Sequence, residues 1–339
     1  MAGRADEGAR TGADGSAAAE TSELDPDEDG DDIRIATVDA ATHGERLDRV
    51  LAALAPEFSR NHLQTLIRDG RATVDGRVVD APSTRLRAGQ ALAVVMVPPA
   101  ESRSFVAEDV PLAVVHEDAA IAVVDKPAGL VVHPAAGNWT GTLLNGVLAR
   151  WPGNARLPRA GIVHRLDKDT SGLLVIARTL EAQTALVRAL AARSVSRRYL
   201  AIAHGTAPAA PFTVDAPIGR DPAHRTRMAV VASGKPARTH VEPVATAVVE
   251  GGPASALACA LETGRTHQIR VHLAARGLPL LGDRTYGGRP ALGLARQALH
   301  AARLAFRHPV DGSAIDLASA PPEDFAGAWS RITARPPRA

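Results

Sequence analysis

The sequence has one cysteine, few aromatic residues and no long apolar run. Because Cys259 is the only cysteine in 339 residues, neither an internal disulfide nor a cysteine-rich metal site can form. Aromatic residues make up 3% of the chain, which leaves few rings on which bases could stack. No apolar stretch reaches the roughly 18 residues of a membrane span, and the N-terminus has no apolar signal segment. These absences predict a soluble cytoplasmic protein without a membrane contact.

Lysine is also scarce, and charge is distributed unevenly along the chain. Only Lys126, Lys168 and Lys235 are lysines, so almost all positive charge is arginine, which suits bidentate contacts with phosphate. Residues 1–33 carry a net charge of −9, whereas residues 34–339 carry +11. The acidic tail has almost no large apolar residues and is predicted to be disordered, either as a solubilising extension or as an inhibitory RNA mimic. The basic remainder predicts a polyanionic partner.

Residues 45–99 have the pattern of a small separate domain. Apolar residues recur at helical spacing over 47–54, and Ser59 is placed to cap a second helix that ends at Gly70. An Asp-Gly pair at 75–76 predicts a hairpin turn. The second helix and the hairpin are expected to expose five basic side chains: Arg60, His62, Arg68, Arg71 and Arg77. These side chains predict contacts with a nucleic-acid backbone, or else an ordinary solvated face.

Residues 105–325 predict a larger domain that mixes strands and helices. Its short runs of branched residues alternate with turn signals, which favours a mainly antiparallel sheet and an α+β fold. The clearest predicted elements are strands at 113–115, 121–124, 173–177 and 200–203 and a helix at 180–192.

The densest group of polar residues lies between two apolar patches at 161–174. His, Arg, Asp, Lys, Asp, Thr and Ser follow one another within eight positions, a pattern more typical of an active-site loop than of a core element. A surface turn with an ordinary salt bridge is the alternative that composition alone leaves open.

This run resembles the catalytic motif His-Arg-Leu-Asp-x-x-Thr-Ser-Gly of the RluA family of RNA pseudouridine synthases. Residues 164–172 match that motif at every defined position, and residues 264–270 match the family block Gly-Arg-x-His-Gln-Ile-Arg. Without the resemblance, the segment 263–272 predicts a basic strand whose alternate residues face inward, with no catalytic role.

The resemblance implies roles for four residues. Asp167 corresponds to the catalytic aspartate, which acts either as a nucleophile toward the sugar or as a base at C2′. Arg270 is the cation expected to keep this carboxylate ionised in a pocket that excludes water. Tyr199 is the pocket tyrosine expected to stack on the base and remove the C5 proton, and Arg165 is expected to fill the space left by a flipped uridine. For Tyr286, which lies in another family-like block, structural packing is the preferred interpretation.

Further segments extend the resemblance over residues 45–325. The first of them, 45–99, resembles an S4 RNA-binding domain. Residues 131–138 have the Val-Val-His-Pro-x-x-Gly-Asn form of the RluD-like branch, and a basic loop of that branch implies RNA contacts from Arg225 and Arg227. The implied architecture is a small N-terminal S4 domain followed by a mainly antiparallel β-sheet catalytic domain.

The resemblance implies a monomeric enzyme that isomerises uridines in large-subunit (23S) ribosomal RNA. A synthase acting on transfer RNA and a non-catalytic S4 RNA-binding factor are the alternatives, and a hydrolase that pairs Asp167 with Asp169 is a weaker one. No metal is expected, because His267 and His272 lack a third ligand at suitable spacing. No nucleotide cofactor is expected either, since glycine-rich phosphate-binding motifs are absent from the sequence.

Overall fold

A computed structural model describes residues 32–56, 58–97, 105–135, 137–224 and 227–337. The chain forms two compact units that divide between Val97 and Pro98.

The first unit combines two short helices with a four-stranded antiparallel sheet. Its strands lie in the order β1-β4-β2-β3. In chain order the elements are β1 (Asp32–Thr37), α1 (Leu47–Leu54), α2 (Arg60–Arg68), β2 (Ala72–Val74), β3 (Arg77–Val78) and β4 (Ala91–Met96). The tail predicted to be disordered lies mostly outside the described residues, but its last two positions already belong to β1, because they pair with β4.

Local sequence signals account for the boundaries of these elements. The Ser59 side chain accepts a hydrogen bond from the His62 backbone N–H (3.3 Å) and so caps α2 as predicted. Asp75 and Gly76 both have positive φ (50° and 73°), the conformation that a tight two-residue hairpin requires. The predicted hairpin is therefore confirmed.

A buried carboxylate joins the two helices. Asp48 in α1 is fully buried and accepts hydrogen bonds from Arg46 Nε (3.0 Å), Gln64 Nε2 (2.7 Å) and Arg60 Nη2 (2.9 Å). The hydrogen bond from Arg46, and then those from Gln64 and Arg60, hold the pKa of Asp48 far below its usual range despite burial. Arg60 was expected to face RNA, but its guanidinium pairs with Asp48 and so connects the two helices.

His62 also departs from expectation, because it is half-buried rather than exposed. Its ring stacks on Phe58, with 5.4 Å between ring centroids, and its Nε2 bonds to the Val97 carbonyl (2.7 Å).

The second unit is built on one large sheet. In chain order its elements are β5 (Ala113–Glu117), β6 (Ile121–Lys126), α3 (Leu143–Arg150), β7 (Ser171–Ala177), α4 (Leu180–Ala191), β8 (Ser196–His204), β9 (Phe212–Asp215), β10 (Ile218–Arg220), β11 (Met228–Val230), β12 (Arg238–Val249), β13 (Gly252–Leu261), α5 (Gln268–Ala275), β14 (Leu299–Arg307), β15 (Ala314–Ala318) and α6 (Glu323–Thr333). The strands predicted around 113, 121, 173 and 200 and the helix at 180 are confirmed.

The order of the strands explains how distant segments meet. The sheet runs β5-β6-β7-β14-β8-β13-β12-β9, with β15 paired to β14 and a separate β10-β11 hairpin. β7 and β14 are parallel, and every other described pair is antiparallel, as the sequence predicts. Because β14 lies between β7 and β8, the loop that enters β7 and the residues of β8 converge at one end of the sheet.

The strand predicted over 263–272 is wrong, because residues 268–275 form the helix α5. The first six residues of this helix are buried, both polar and apolar ones. The helix therefore has no solvent-exposed face there, and its sequence lacks the amphipathic period that would predict it. The chain enters the helix through His267 in the left-handed conformation (φ 56°), and the Gln268 side chain accepts a hydrogen bond from Thr263 Oγ1 (2.7 Å). Tertiary contacts therefore decide this helix.

None of the helices in the described ranges is long and apolar enough to cross a bilayer.

We expect Asp48→Asn to loosen the first unit. The amide cannot replace the charge-assisted bonds to Arg46 and Arg60, so the free energy of unfolding of this unit should fall by about 2 kcal/mol. Hydrogen exchange of the full chain, followed by mass spectrometry, should become faster over 47–68 and stay unchanged in β7. The exposed Asp80→Asn serves as the control and should alter neither region. Unchanged exchange over 47–68 in Asp48→Asn would contradict the assignment.

Candidate active site

Asp167 lies in a tight turn that leads into β7. The Thr170 backbone N–H donates to the Asp167 carbonyl (3.1 Å) and closes the turn. From outside the turn, Arg296 Nη1 donates to the Asp169 carbonyl (3.0 Å). The next residue, Ser171, is buried and begins β7, so the turn is anchored to the sheet.

A buried lysine holds the same turn from the other side. Lys126 Nζ donates to the carbonyls of Pro127 (2.8 Å), Leu130 (2.9 Å) and Lys168 (2.9 Å), which uses all three of its protons. The Lys168 carbonyl also accepts from the backbone N–H of Gly129, whose φ of 90° suits glycine alone. The backbone beside Asp167 is therefore fixed by main-chain acceptors.

Burial also changes the protonation of Lys126. Desolvation lowers its pKa to about 7, although the negative charges of Asp169 and Asp167 oppose that shift. At neutral pH the Lys126 side chain is therefore close to the midpoint between its charged and neutral forms.

The carboxylate of Asp167 contacts the buried guanidinium of Arg270. Arg270 Nη1 lies 3.0 Å from Asp167 Oδ2, and on its other side Nε and Nη2 donate to both oxygens of Asp283 (2.7 and 2.9 Å). Burial alone would lower the pKa of Arg270, but the bonds to Asp283 and the charge of Asp167 raise it above its ordinary value. The structure thus brings Asp167 and Arg270 together, with Asp167 only 13% exposed.

Tyr286 and His267 connect this ion pair to the β10-β11 hairpin. The Met228 backbone N–H donates to the Tyr286 hydroxyl (3.1 Å), which lies 2.8 Å from His267 Nδ1. If the phenol donates to Nδ1, the imidazole proton is on Nε2, which faces Asp167 Oδ1 at 3.9 Å. The Arg270 guanidinium lies over the Tyr286 ring, 5.0 Å from its centroid. Tyr286 therefore packs in the site itself.

Tyr199 lies on β8 and borders the same cavity as Asp167. This cavity has a volume of about 1000 Å³, at the upper end of ordinary ligand pockets. Burial raises the pKa of Tyr199, the charge of Arg197 opposes the shift and that of Asp167 adds to it. The phenol is therefore protonated at neutral pH, and its side chain, largely buried, forms part of the cavity wall.

The residues predicted to bind RNA are found in different settings. Arg165 is exposed at the rim of the cavity, and Arg227 is exposed just before β11. Arg68 and Arg71 are exposed on the first unit. Arg225 lies outside the described residues.

No role at the site was predicted for Lys126 or Asp283. Lys126 could have been noticed as one of only three lysines, placed two residues after the apolar run 121–124 at the end of β6. The role of Asp283 had no sequence signal, because it depends on Arg270 belonging to a helix that faces residue 283.

The geometry defines the chemistry that the site can perform. A carboxylate beside a buried cation suits nucleophilic attack or proton abstraction, and the nearby phenol suits stacking and proton transfer. Among the residues that the structure describes, no group of three or more His, Cys, Asp or Glu side chains is arranged to hold a metal ion.

Two families match the chain by sequence. Residues 45–92 match the S4 domain, and residues 120–275 match the RNA pseudouridylate synthase family.

Bacterial relatives cover most of the chain. A protein of Xanthomonas campestris pv. campestris named ribosomal large subunit pseudouridine synthase D is 48% identical over 315 residues, which cover 88% of this chain and 92% of the relative. Proteins of the same name are similar in Pseudomonas aeruginosa (48% identity, 86% and 93% covered) and Neisseria meningitidis serogroup B (47% identity, 85% and 79% covered).

A solved structure is also similar. Human RNA pseudouridylate synthase domain containing 1 is 28% identical with a TM-score of 0.51, and the match covers 67% of this chain and 87% of that one.

We expect the stability contributed by Lys126 to depend on pH. Its pKa is about 7 when folded and near 10.4 when unfolded, so between these values the unfolded chain binds more protons and folding stability rises with pH. Lys126→Met lacks this gain and leaves three carbonyls unpaired. The stability gap between wild type and variant should therefore widen from pH 6.5 to pH 9, by up to about 1 kcal/mol per pH unit.

Urea unfolding midpoints at several pH values measure this gap. Lys235→Met, which removes an exposed lysine, is the control for the loss of one lysine side chain. If the stability difference between wild type and Lys126→Met does not change with pH, the pKa of Lys126 in the folded protein is not lowered and the prediction is wrong.

Proposed function

The chain belongs to the RNA pseudouridylate synthase family, and on that premise we propose that it converts uridines to pseudouridine in large-subunit ribosomal RNA. The name shared by the bacterial relatives supports this choice of substrate, as does the match of residues 45–92 to an S4 domain. The observation that carries the proposed mechanism is that Asp167, which lines a cavity together with Tyr199, is paired with the buried guanidinium of Arg270.

The reaction needs a reactive carboxylate and consumes no other reactant. The N1–C1′ bond of uridine breaks, the uracil turns, C5 bonds to C1′, and the proton lost from C5 is balanced by one gained at N1. We assign the first step to Asp167, either as a nucleophile at C1′ or as a base at C2′. Its Oδ1 is free of the Arg270 contact, which is made by Oδ2, and so can reach a substrate atom.

Arg270 keeps Asp167 reactive. Removing a carboxylate from water favours its neutral form, which can perform neither role, and a cation at 3.0 Å opposes that tendency. The bidentate contact with Asp283 fixes the orientation of the guanidinium before substrate arrives.

Tyr199 is the proposed partner of the uracil ring. Its ring can stack on the base, and its phenolate form can accept the C5 proton after the new bond has formed, which regenerates the phenol. At that stage the proton lies next to the C4 carbonyl and is more acidic than in uridine, so a weak base suffices. The raised pKa of Tyr199 makes the phenolate scarce at neutral pH, and this step therefore limits the rate in our proposal.

Basic residues of both units would hold the RNA. Arg165, at the rim of the cavity, would enter the stem when a uridine is flipped out. Arg225 and Arg227, which precede β11 in the chain, and Arg68 and Arg71 in the first unit would contact phosphates. Arg60 would contribute less, because Asp48 engages its guanidinium.

We propose that residues 45–99 serve as the RNA-binding domain and residues 105–325 as the catalytic domain. The protein is proposed to act as a cytoplasmic monomer, without a metal or an organic cofactor.

Mapping of pseudouridine in cellular RNA tests both substrate and carboxylate. A strain that lacks the gene should lose discrete carbodiimide-dependent reverse-transcription stops in large-subunit ribosomal RNA. Wild type should restore them, and Asp167→Asn should not, because the amide cannot act as nucleophile or base. The control Asp169→Asn, an isosteric change two residues away, should restore them. Stops lost from transfer RNA instead would move the substrate there, and rescue by Asp167→Asn would refute the catalytic assignment.

Tyr199→Phe tests the proton-removal step. The ring that stacks is retained and only the hydroxyl is lost, so RNA affinity should stay within about twofold while the rate falls by about a hundredfold or more. Tritium release from RNA labelled at C5 of uridine measures the rate, and filter binding measures the affinity. A variant that releases tritium at the wild-type rate would show that another group takes the proton.

A further inference from the structure

A second arginine that borders the cavity has no hydrogen-bond or ion-pair partner among the described residues. Arg197 precedes Tyr199 by two residues on β8, so both side chains point to the same face of the strand and border the same cavity. Arg197 is only 7% exposed, yet its Nε–H is buried without a hydrogen-bond acceptor among the described residues. Its neighbour Arg198 points to the opposite, exposed face.

The guanidinium of Arg197 lies close to the backbone of Gly264. A Cβ atom built on Gly264 would lie 2.5 Å from Arg197 Nη1, so a larger residue at this position would displace the end of the arginine side chain. Gly264 belongs to the segment before α5 that also lines the cavity.

The carboxylates that line the cavity already have partners. Asp167 pairs with Arg270, and Glu262 pairs with Arg193, with Arg238 and with the His240 ring. Neither forms an ion pair with Arg197 in the part of the chain that the structure describes. The guanidinium of Arg197 therefore has no carboxylate beside it among the described residues, and its unused donors are available to an anion that enters the cavity.

Two histidine rings that line the cavity, His164 and His133, differ from Arg197 because they are uncharged. His164 Nε2 accepts from the Val175 backbone N–H (3.1 Å), which puts the ring proton on Nδ1, and Nδ1 is buried without an acceptor. His133 Nε2 is likewise buried and unpartnered. Burial lowers the pKa of His164 to about 3 and that of His133 to about 4, so both rings are neutral. Neutral imidazoles are suited to hydrogen bonds with the carbonyl oxygens of a base. The positively charged guanidinium of Arg197 is suited to an anion instead.

We propose that Arg197 binds the phosphodiester group next to the flipped uridine and so holds the nucleotide while its base lies against Tyr199. This inference rests on the proposed function, because it takes RNA as the occupant of the cavity. A cavity of about 1000 Å³ has room for sugar and phosphate in addition to a uracil ring. A guanidinium also matches phosphate with two parallel hydrogen bonds.

A cycle of protein and RNA changes tests the contact. Affinities are measured for an RNA that the wild-type protein modifies. In a series of RNAs, each phosphodiester linkage around the target uridine is replaced in turn by an uncharged methylphosphonate. The nucleotide before that linkage is a 2′-deoxy nucleotide. Each such RNA is compared with a reference RNA that has the same 2′-deoxy nucleotide and an ordinary phosphodiester. At one linkage the neutral group should weaken binding by wild type about tenfold. Arg197→Met should bind the reference RNA about tenfold more weakly and should lose no further affinity at that linkage.

The matched control is Arg198→Met, on the other face of the same strand. It should respond to every methylphosphonate as wild type does. Because Arg197→Met removes an unpaired buried charge, its melting temperature should equal or exceed that of wild type, which a structural role would not allow.

Two results would overturn the proposal. One is a loss of affinity in Arg197→Met that adds to the loss at every linkage, which would indicate a neutral acceptor such as a uracil carbonyl. The other is a lower melting temperature with unchanged RNA affinity, which would make Arg197 structural. Failure of the ribosomal RNA assignment would instead appear in the wild-type protein, as an absence of pseudouridine in that RNA.

Discussion

The buried guanidinium of Arg270 between Asp167 and Asp283 is the interaction on which the site depends. Burial removes the Asp167 carboxylate and the Arg270 guanidinium from much of their hydration, so each needs an opposite charge beside it, and Asp283 supplies a second carboxylate to the guanidinium. This requirement explains why α5 is buried instead of lying on the surface. It also explains why the segment around residue 283 folds back against that helix, and why the Tyr286 ring covers the guanidinium.

Rigidity of the backbone around Asp167 is the second condition for reactivity. The turn is held through its main-chain carbonyls, by Lys126 at residue 168 and by Arg296 at residue 169. Such contacts fix the direction of the carboxylate without using its own oxygens, so Oδ1 stays available for chemistry. Groups held in a reactive geometry beforehand avoid an entropic cost at the transition state. Lys126 bears a cost in return, because full burial depresses its pKa to about 7.

Charge in this protein serves two different purposes. In the first unit, Arg60 meets the buried carboxylate of Asp48 and joins two helices, while Arg68 and Arg71 remain exposed. In the second unit, Arg270 is satisfied from both sides, whereas Arg197 Nε is buried without a partner among the described residues. The paired arginines hold the fold together, and the unpaired one is the residue that we propose to bind an anionic ligand. The net charge of the chain cannot show this difference, because each of these arginines contributes one positive charge whether or not it is paired.

Local patterns in the sequence determined the elements that depend on neighbouring residues. The Ser59 cap, the hairpin at 75–76, and the strands and helix between 113 and 203 follow from side-chain periodicity and turn chemistry. Matching residue types also pointed to Asp167, Tyr199 and Arg270. The tertiary structure alone decided that 268–275 is a helix, that Asp283 and Lys126 support the site, and that Arg60 faces a buried carboxylate. The physical reason is the same in each case: these outcomes depend on which distant groups share a buried space, and burial acts on pairs of residues far apart in the chain.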